Sequence, residues 1–261
     1  MEISLEREGL GEDDPDRWWR YPWSELVEIR VGASVIETTV AYDDNTASEW
    51  IRHVQLHNLK RRGPLVASIC FFHGTNDYWR FTQKDPKTRS SNPSNPICAI
   101  ALCVDESHCL IFHNAPDYRE SVHTPKVKLL SKFLEDKKVH VVGINACAEA
   151  ERLEKEWRVR VAHAIDLGHL VERAFRTKAW EMRKRGKEVV RTGIGMEEMA
   201  ALALDGMRVE KKPPKLMSPE NCTWGVDHKW ISDIMLMYAV RDAFLGFLIG
   251  LKSLKKIGFS S

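Results

Sequence analysis

Leu65-Val66-Ala67-Ser68-Ile69-Cys70-Phe71-Phe72 is an apolar run broken only by one hydroxyl. Gly63-Pro64 stands before it and Gly74 after it, so the run reads as a strand buried on both faces. Downstream, a loop rich in Pro, Ser and Asn (Lys84 to Pro96) leads to two more apolar runs, Ile97 to Val104 and His108 to His113. Asp105-Glu106-Ser107 joins those two as the turn of a hairpin. Pro125 then opens a helix, Val139 to Asn145 is a further strand, and Ala148 to Trp157 is a helix of strong formers. Val161 to Leu167 holds a short strand, and from Gly168 onward the chain reads as helices and loops. Gly195 opens the helix GMEEMAALALDG, and Gly206 closes it. KKPPKLMSPE is an extended connection, and Ser232 to Leu254 is the longest helix.

Upstream, VIETTVAY (Val35 to Tyr42) alternates and is rich in β-branched residues, which predicts a strand. Ser48 is placed to cap a helix over SEWIRHVQLHNL. Residues 1–33 are charged and Trp-rich without a clear period. They read as a poorly ordered leader that docks through Trp18, Trp19 and Trp23. The expected class is α/β, a mixed sheet flanked by helices with a helical C-terminal half. The expected domain spans 34–255, with a tail at 256–261.

The chain has 261 residues, 43% of them hydrophobic, enough for a substantial core and too apolar for a disordered chain. Its 39 Lys+Arg against 37 Asp+Glu exclude a strongly basic coat or an acidic tail, though a local basic face fits inside a balanced total. Six cysteines are too few for a disulfide scaffold, and most lie in or beside apolar runs, which points to a reducing compartment. The acidic N-terminus shows no secretory signal, and no run of eighteen apolar residues suggests a membrane span. The expected location is nucleus or cytoplasm, not secreted.

Chemistry enters at Tyr238-Ala239-Val240-Arg241-Asp242-Ala243-Phe244. Tyr238 and Asp242 are four apart and share one face of an otherwise apolar helix. Taken alone the pair has an ordinary reading, a core aromatic and a surface acid. The order of the elements adds weight to it. Strand, hairpin, helix, VHVVGIN, the AEAERL helix, AIDL, GMEEMAALALDG and a Tyr-Ala-x-x-Asp-Ala helix follow one another over residues 35–252. This order resembles the DEDD superfamily of 3′–5′ exonucleases, in the subgroup with a Tyr in its last motif, which includes ribonuclease D and Werner-type exonucleases. Within that subgroup the chain looks similar to small plant Werner-exonuclease-like proteins.

The resemblance implies a ribonuclease H-like fold and two-metal phosphodiester hydrolysis, with Mg²⁺ or Mn²⁺ held by four carboxylates. It also implies residue roles here. The first motif, Asp-x-Glu on the first core strand, falls on Ser68 and Cys70, neither of which has a carboxylate. The second motif's Asp falls on Glu149, one methylene longer. The third motif is Tyr238 and Asp242, which match. Asp77, in the loop after the strand, is the nearest other acid. Two dications need several negative ligands to offset their mutual repulsion, so hydrolysis is expected to be weak or absent.

Glu172 to Arg191 carries Arg176, Lys178, Arg183, Lys184 and Arg185, with Trp180 interleaved, a pattern suited to phosphate contacts and base stacking. It reads equally as a solvated helix face or a weak nuclear-localisation patch. His53 and His57 lack further metal-ligand partners in sequence and read as a surface pair. Serine-hydrolase, Walker A and dinucleotide signatures are absent. Three functions follow. The first is a protein that binds single-stranded or 3′-ended nucleic acid without cutting it. The second is an active metal-dependent 3′–5′ exonuclease on DNA or RNA. The third is a non-catalytic protein-interaction subunit.

Overall fold

The computed structural model describes residues 1–7, 24–58, 64–73, 97–113, 128–176, 180–185, 188–210, 231 and 233–259. In chain order these form β1 (Ile3–Arg7), β2 (Ser24–Val31), β3 (Ser34–Ala41), α1 (Asp44–Asn58), β4 (Leu65–His73), β5 (Ile97–Cys103) and β6 (His108–His113). Then come α2 (Lys128–Glu135), β7 (Val139–Gly143), α3 (Ala146–Trp157), β8 (Ala164–Asp166) and α4 (Leu167–Phe175). The last elements are β9 (Trp180–Arg185), β10 (Glu188–Gly193), α5 (Met196–Ala203) and α6 (Asp233–Lys256).

Eight strands make one mixed sheet in the order β1-β2-β3-β6-β5-β4-β7-β8. β4 lies inside it, antiparallel to β5 and parallel to β7, and β3 pairs parallel with β6. Helices cover both faces, because β4, β5 and β6 are apolar on both. Val66, Ala101, Cys103, Cys109 and Ile111 join the core under α4, α5 and α6. Ala67, Ile69, Ile100, Leu102 and Leu110 join the opposite core with α1, α2 and α3. The expected strands, hairpin and long C-terminal helix are all present. α6 is long and apolar enough to cross a membrane, but Leu236, Val240, Phe244, Phe247, Ile249 and Leu254 are buried against the protein instead.

Three expectations are corrected. The leader is not uniformly unstructured, since β1 and β2 belong to the sheet. Val27, Ile29 and Val31 are buried at every second residue while the intervening residues face outward, a strand period hidden by the Trp-rich stretch before it. Gly32, at φ +63°, makes the two-residue turn that pairs Val31 with Ser34. Helix α1 starts four residues before Ser48: Asp43 Oδ1 accepts from the Asn45 and Thr46 amides at 2.7 and 3.0 Å, and Ser48 is buried within the helix. The basic run is not one helix. After α4 it forms β9 and β10, where Val189, Val190 and Thr192 favour cross-strand pairing over helix.

Helix α6 lies close on the sheet because two of its contact residues are glycines. A Cβ on Gly250 would stand 2.6 Å from Val142 Cγ2 and 3.2 Å from Val142 Cβ and Cγ1. Val142 is β-branched and fixed in β7, so it cannot turn away. Gly250→Ala is therefore expected to cost about 1–3 kcal/mol in urea denaturation, despite the better helix propensity of Ala. An unchanged or raised midpoint would show that the helix lifts freely off β7.

Candidate functional site

The site is built on one face of β4. Side chains alternate along a strand, so Ser68 and Cys70 share the face beneath α6. Ser68 is fully buried, and a Cβ on Gly246 of α6 would overlap its Oγ. Its neighbours in register are Val142 on β7 and Cys103 on β5. Cys103 in turn faces Cys109, and Cys109 lies opposite Thr38. Ser68, Cys103, Cys109 and Thr38 are all small and have no exposed surface. Burial pushes the Cys103 and Cys109 thiols far up, so both stay protonated. The row is a shallow floor on which α6 rests, and it carries no negative charge.

Above that floor, Asp242 and Tyr238 meet a cation. Arg241 is 1% exposed, among the largest fully buried side chains. Its Nε and Nη2 donate to Asp242 Oδ1 at 3.0 and 2.8 Å, and its Nη1 donates to the Glu210 carbonyl at 2.7 Å. Its guanidinium carbon stands 4.6 Å from the centre of the Tyr238 ring, and Nη2 is 3.9 Å from Glu197 Oε1 on α5. Adjacent helix residues point apart, so the pairing depends on the long arginine stem folding back beside Asp242.

Glu149, on the first turn of α3, lies between an imidazole and a guanidinium. His73 Nε2, at the end of β4, stands 3.4 Å from Glu149 Oε2, and Arg152 Nη1 donates to that same oxygen at 3.4 Å. Burial raises the Glu149 pKa, but His73 and Arg152 outweigh burial and leave it below the ordinary glutamate value. Arg152 also reaches Glu156 at 3.0 Å, and Glu156 Oε2 accepts the Ile97 amide at 2.7 Å. The arrangement clamps α3 to β4 and β5.

Asp242 and Glu149 each lie beside a protein guanidinium, Arg241 and Arg152. No group of three or more His, Cys, Asp or Glu side chains is placed to hold a metal among the described residues. A hydroxyl, a thiol and two ion-paired carboxylates do not fit a pair of hard dications. A dication ~5 Å from the Arg241 guanidinium would meet a repulsion of about 7 kcal/mol at an effective dielectric of 20.

Sequence reasoning placed Ser68, Cys70, Glu149, Tyr238 and Asp242, and overlooked His73, Arg152 and Arg241. The available signal for Arg241 was a lone guanidinium inside an apolar helix. Arg176 caps the C-terminus of α4, and Arg183, Lys184 and Arg185 are consecutive on β9, whose Trp180 pairs in register with Gly193. Asp77, Lys178, the Lys84–Pro96 loop, Pro125, the three tryptophans of the leader and residues 211–230 lie outside the described residues.

No protein-family model matches the sequence, and no curated protein matches it. Solved structures do. RNase D of Trypanosoma brucei superposes with a TM-score of 0.57 at 16% identity, over 85% of this chain and 66% of that one. The chain has the fold of RNase D. The Escherichia coli enzyme, an exoribonuclease involved in structured RNA processing, gives 0.53 at 14% identity, over 83% of this chain and 44% of that one. A Trypanosoma brucei RNase D complex with RNA U12 gives 0.55 at 14%, over 85% and 64%. The chain therefore spans just under two thirds, or less, of these RNase D chains. At such identities the likeness concerns the fold.

Proposed function

We propose that this protein binds single-stranded or 3′-ended nucleic acid and does not hydrolyse it, or does so only weakly. The observation that carries the reading is the pair of first-motif positions. Ser68 and Cys70 share the strand face beneath α6 and neither has a carboxylate, and Ser68 is sealed beneath Gly246. Support for binding comes from the RNase D fold, whose Trypanosoma brucei representative is seen with RNA, and from the basic residues Arg176, Arg183, Lys184 and Arg185. Lys178 and Trp180 complete the proposed contact set, with Lys and Arg on phosphates and the indole on a base. Kinship with small plant Werner-like proteins and a place in nucleus or cytoplasm belong to the same proposal.

The test uses the full chain with labelled single-stranded RNA and DNA in Mg²⁺ or Mn²⁺. The expected result is salt-dependent binding, weakened by charge reversal at Arg183 and Arg185, with substrate length unchanged. Shortening from the 3′ end that Asp242→Ala abolishes would establish an active exonuclease instead. Absence of binding at low salt would favour a protein-interaction subunit.

A further inference from the structure

We infer that the Arg241 guanidinium is the resident cation of this site: a fixed protein charge that neutralises Asp242 and leaves that carboxylate no role as a metal ligand. The proposal rests on the non-catalytic reading above and adds what stabilises the centre in the absence of metal.

Three observations lead there. Arg241 is almost wholly buried yet always charged, so its charge must be balanced within the protein. Asp242 provides that balance: two nitrogens of the guanidinium converge on one carboxylate oxygen at 3.0 and 2.8 Å. The remaining contacts gather neighbouring segments around the same group. The Glu210 carbonyl fastens the 207–210 segment, Glu197 faces it from α5, and the Tyr238 ring lies 4.6 Å away on α6 itself. A surface arginine would be solvated on most of its edge. This one is used by three parts of the fold, and it occupies the carboxylate that a metal would need.

The consequence is a reversal of sign. In a carboxylate-rich metal centre, deleting one acid from the metal-free protein relieves repulsion. Here, deleting Asp242 strands a buried cation. Tyr238 takes part as well. Its ring face is engaged with the guanidinium, so it acts as a packing surface for a cation.

The experiment is a set of thermal melts on the full chain without nucleic acid, with electron paramagnetic resonance of added Mn²⁺. Asp242→Asn is expected to lower Tm by roughly 10 °C. The double variant Arg241→Met with Asp242→Asn is expected to recover most of that loss, since both charges are then gone and the stem volume stays. Neither EDTA nor millimolar Mn²⁺ should move the wild-type Tm, and no Asp242-dependent Mn²⁺ signal should appear. If Asp242→Asn is too unstable to fold, folding of the double variant supports the proposal, and its failure to fold overturns it. Asp242→Asn with unchanged Tm and no bound Mn²⁺ overturns the resident-cation idea alone. Mn²⁺ held through Asp242 overturns it together with the metal-free reading, and the trimming assay then reports the activity.

Discussion

Trp157→Ala is expected to lower the free energy of unfolding by about 3–5 kcal/mol, a large part of the stability of an ordinary domain. Trp157 is 3% exposed at the end of α3, and its ring meets Phe112 edge-on at 5.8 Å between centroids. Its indole Nε1 donates to the Ile97 carbonyl at 3.1 Å. Truncation therefore opens a cavity between helix and sheet and removes the donor from that carbonyl. The amide of the same residue is held by Glu156, so Ile97 is gripped from both sides by consecutive residues of α3. This grip fixes the start of β5 to the helix that carries Glu149. Urea denaturation of Trp157→Ala and Trp157→Phe separates the two contributions. Phe keeps most of the packing and loses the hydrogen bond, so its cost should be nearer 1–2 kcal/mol. A loss below 1 kcal/mol for the alanine variant would mean the pocket collapses around the gap.

Acid should weaken the fold through His113. This residue is 1% exposed at the end of β6, edge-on to Tyr42 at 5.7 Å, and burial lowers its pKa to about 4. The folded imidazole stays neutral while the unfolded one takes up a proton as the pH falls through 6.5. Its contribution is therefore unaffected above that pH and is lost progressively between about 6.5 and 4. Between pH 7.5 and pH 5 the expected loss is about 2 kcal/mol. His113→Phe keeps the ring and removes the proton site, so the variant should show a flatter stability profile over that range. The Glu149 linkage acts in the same direction, since its pKa is lowered by His73 and Arg152, but it sets in nearer the carboxylate range. A wild type and variant that decline in parallel between pH 7.5 and pH 5 would exonerate His113.

The core of the sheet was legible because its strands repeat at the right period and length. Leu65–Phe72, Ile97–Val104 and His108–His113 are short apolar runs with turn residues between them, and each became a strand within a residue of its expected ends. β2 was missed although Val27, Ile29 and Val31 alternate, because a charged, Trp-rich stretch precedes them and their pairing partner is supplied by β3. The Glu172 to Arg191 run was misread for a related reason. Glu, Arg and Lys form helices well in isolation, while the β9–β10 ladder depends on registered partners.

The site divides along the same line. The residue types at 68, 70, 149, 238 and 242 are written in the chain, and with them the shortage of carboxylates on which the metal-free reading rests. Helical spacing alone puts Tyr238 and Asp242 on one face. Only the tertiary structure decided what the surviving charges do. Electrostatic partners are set by distance and burial, and these came from packing: α6 against β4 through Gly246, Glu210 brought beside Arg241, and His73 carried to Glu149. A near-neutral total of 39 bases and 37 acids could not reveal that Asp242 and Glu149 each face protein cations. Composition counts charges, while the low dielectric of a packed interior determines which of them can stand alone.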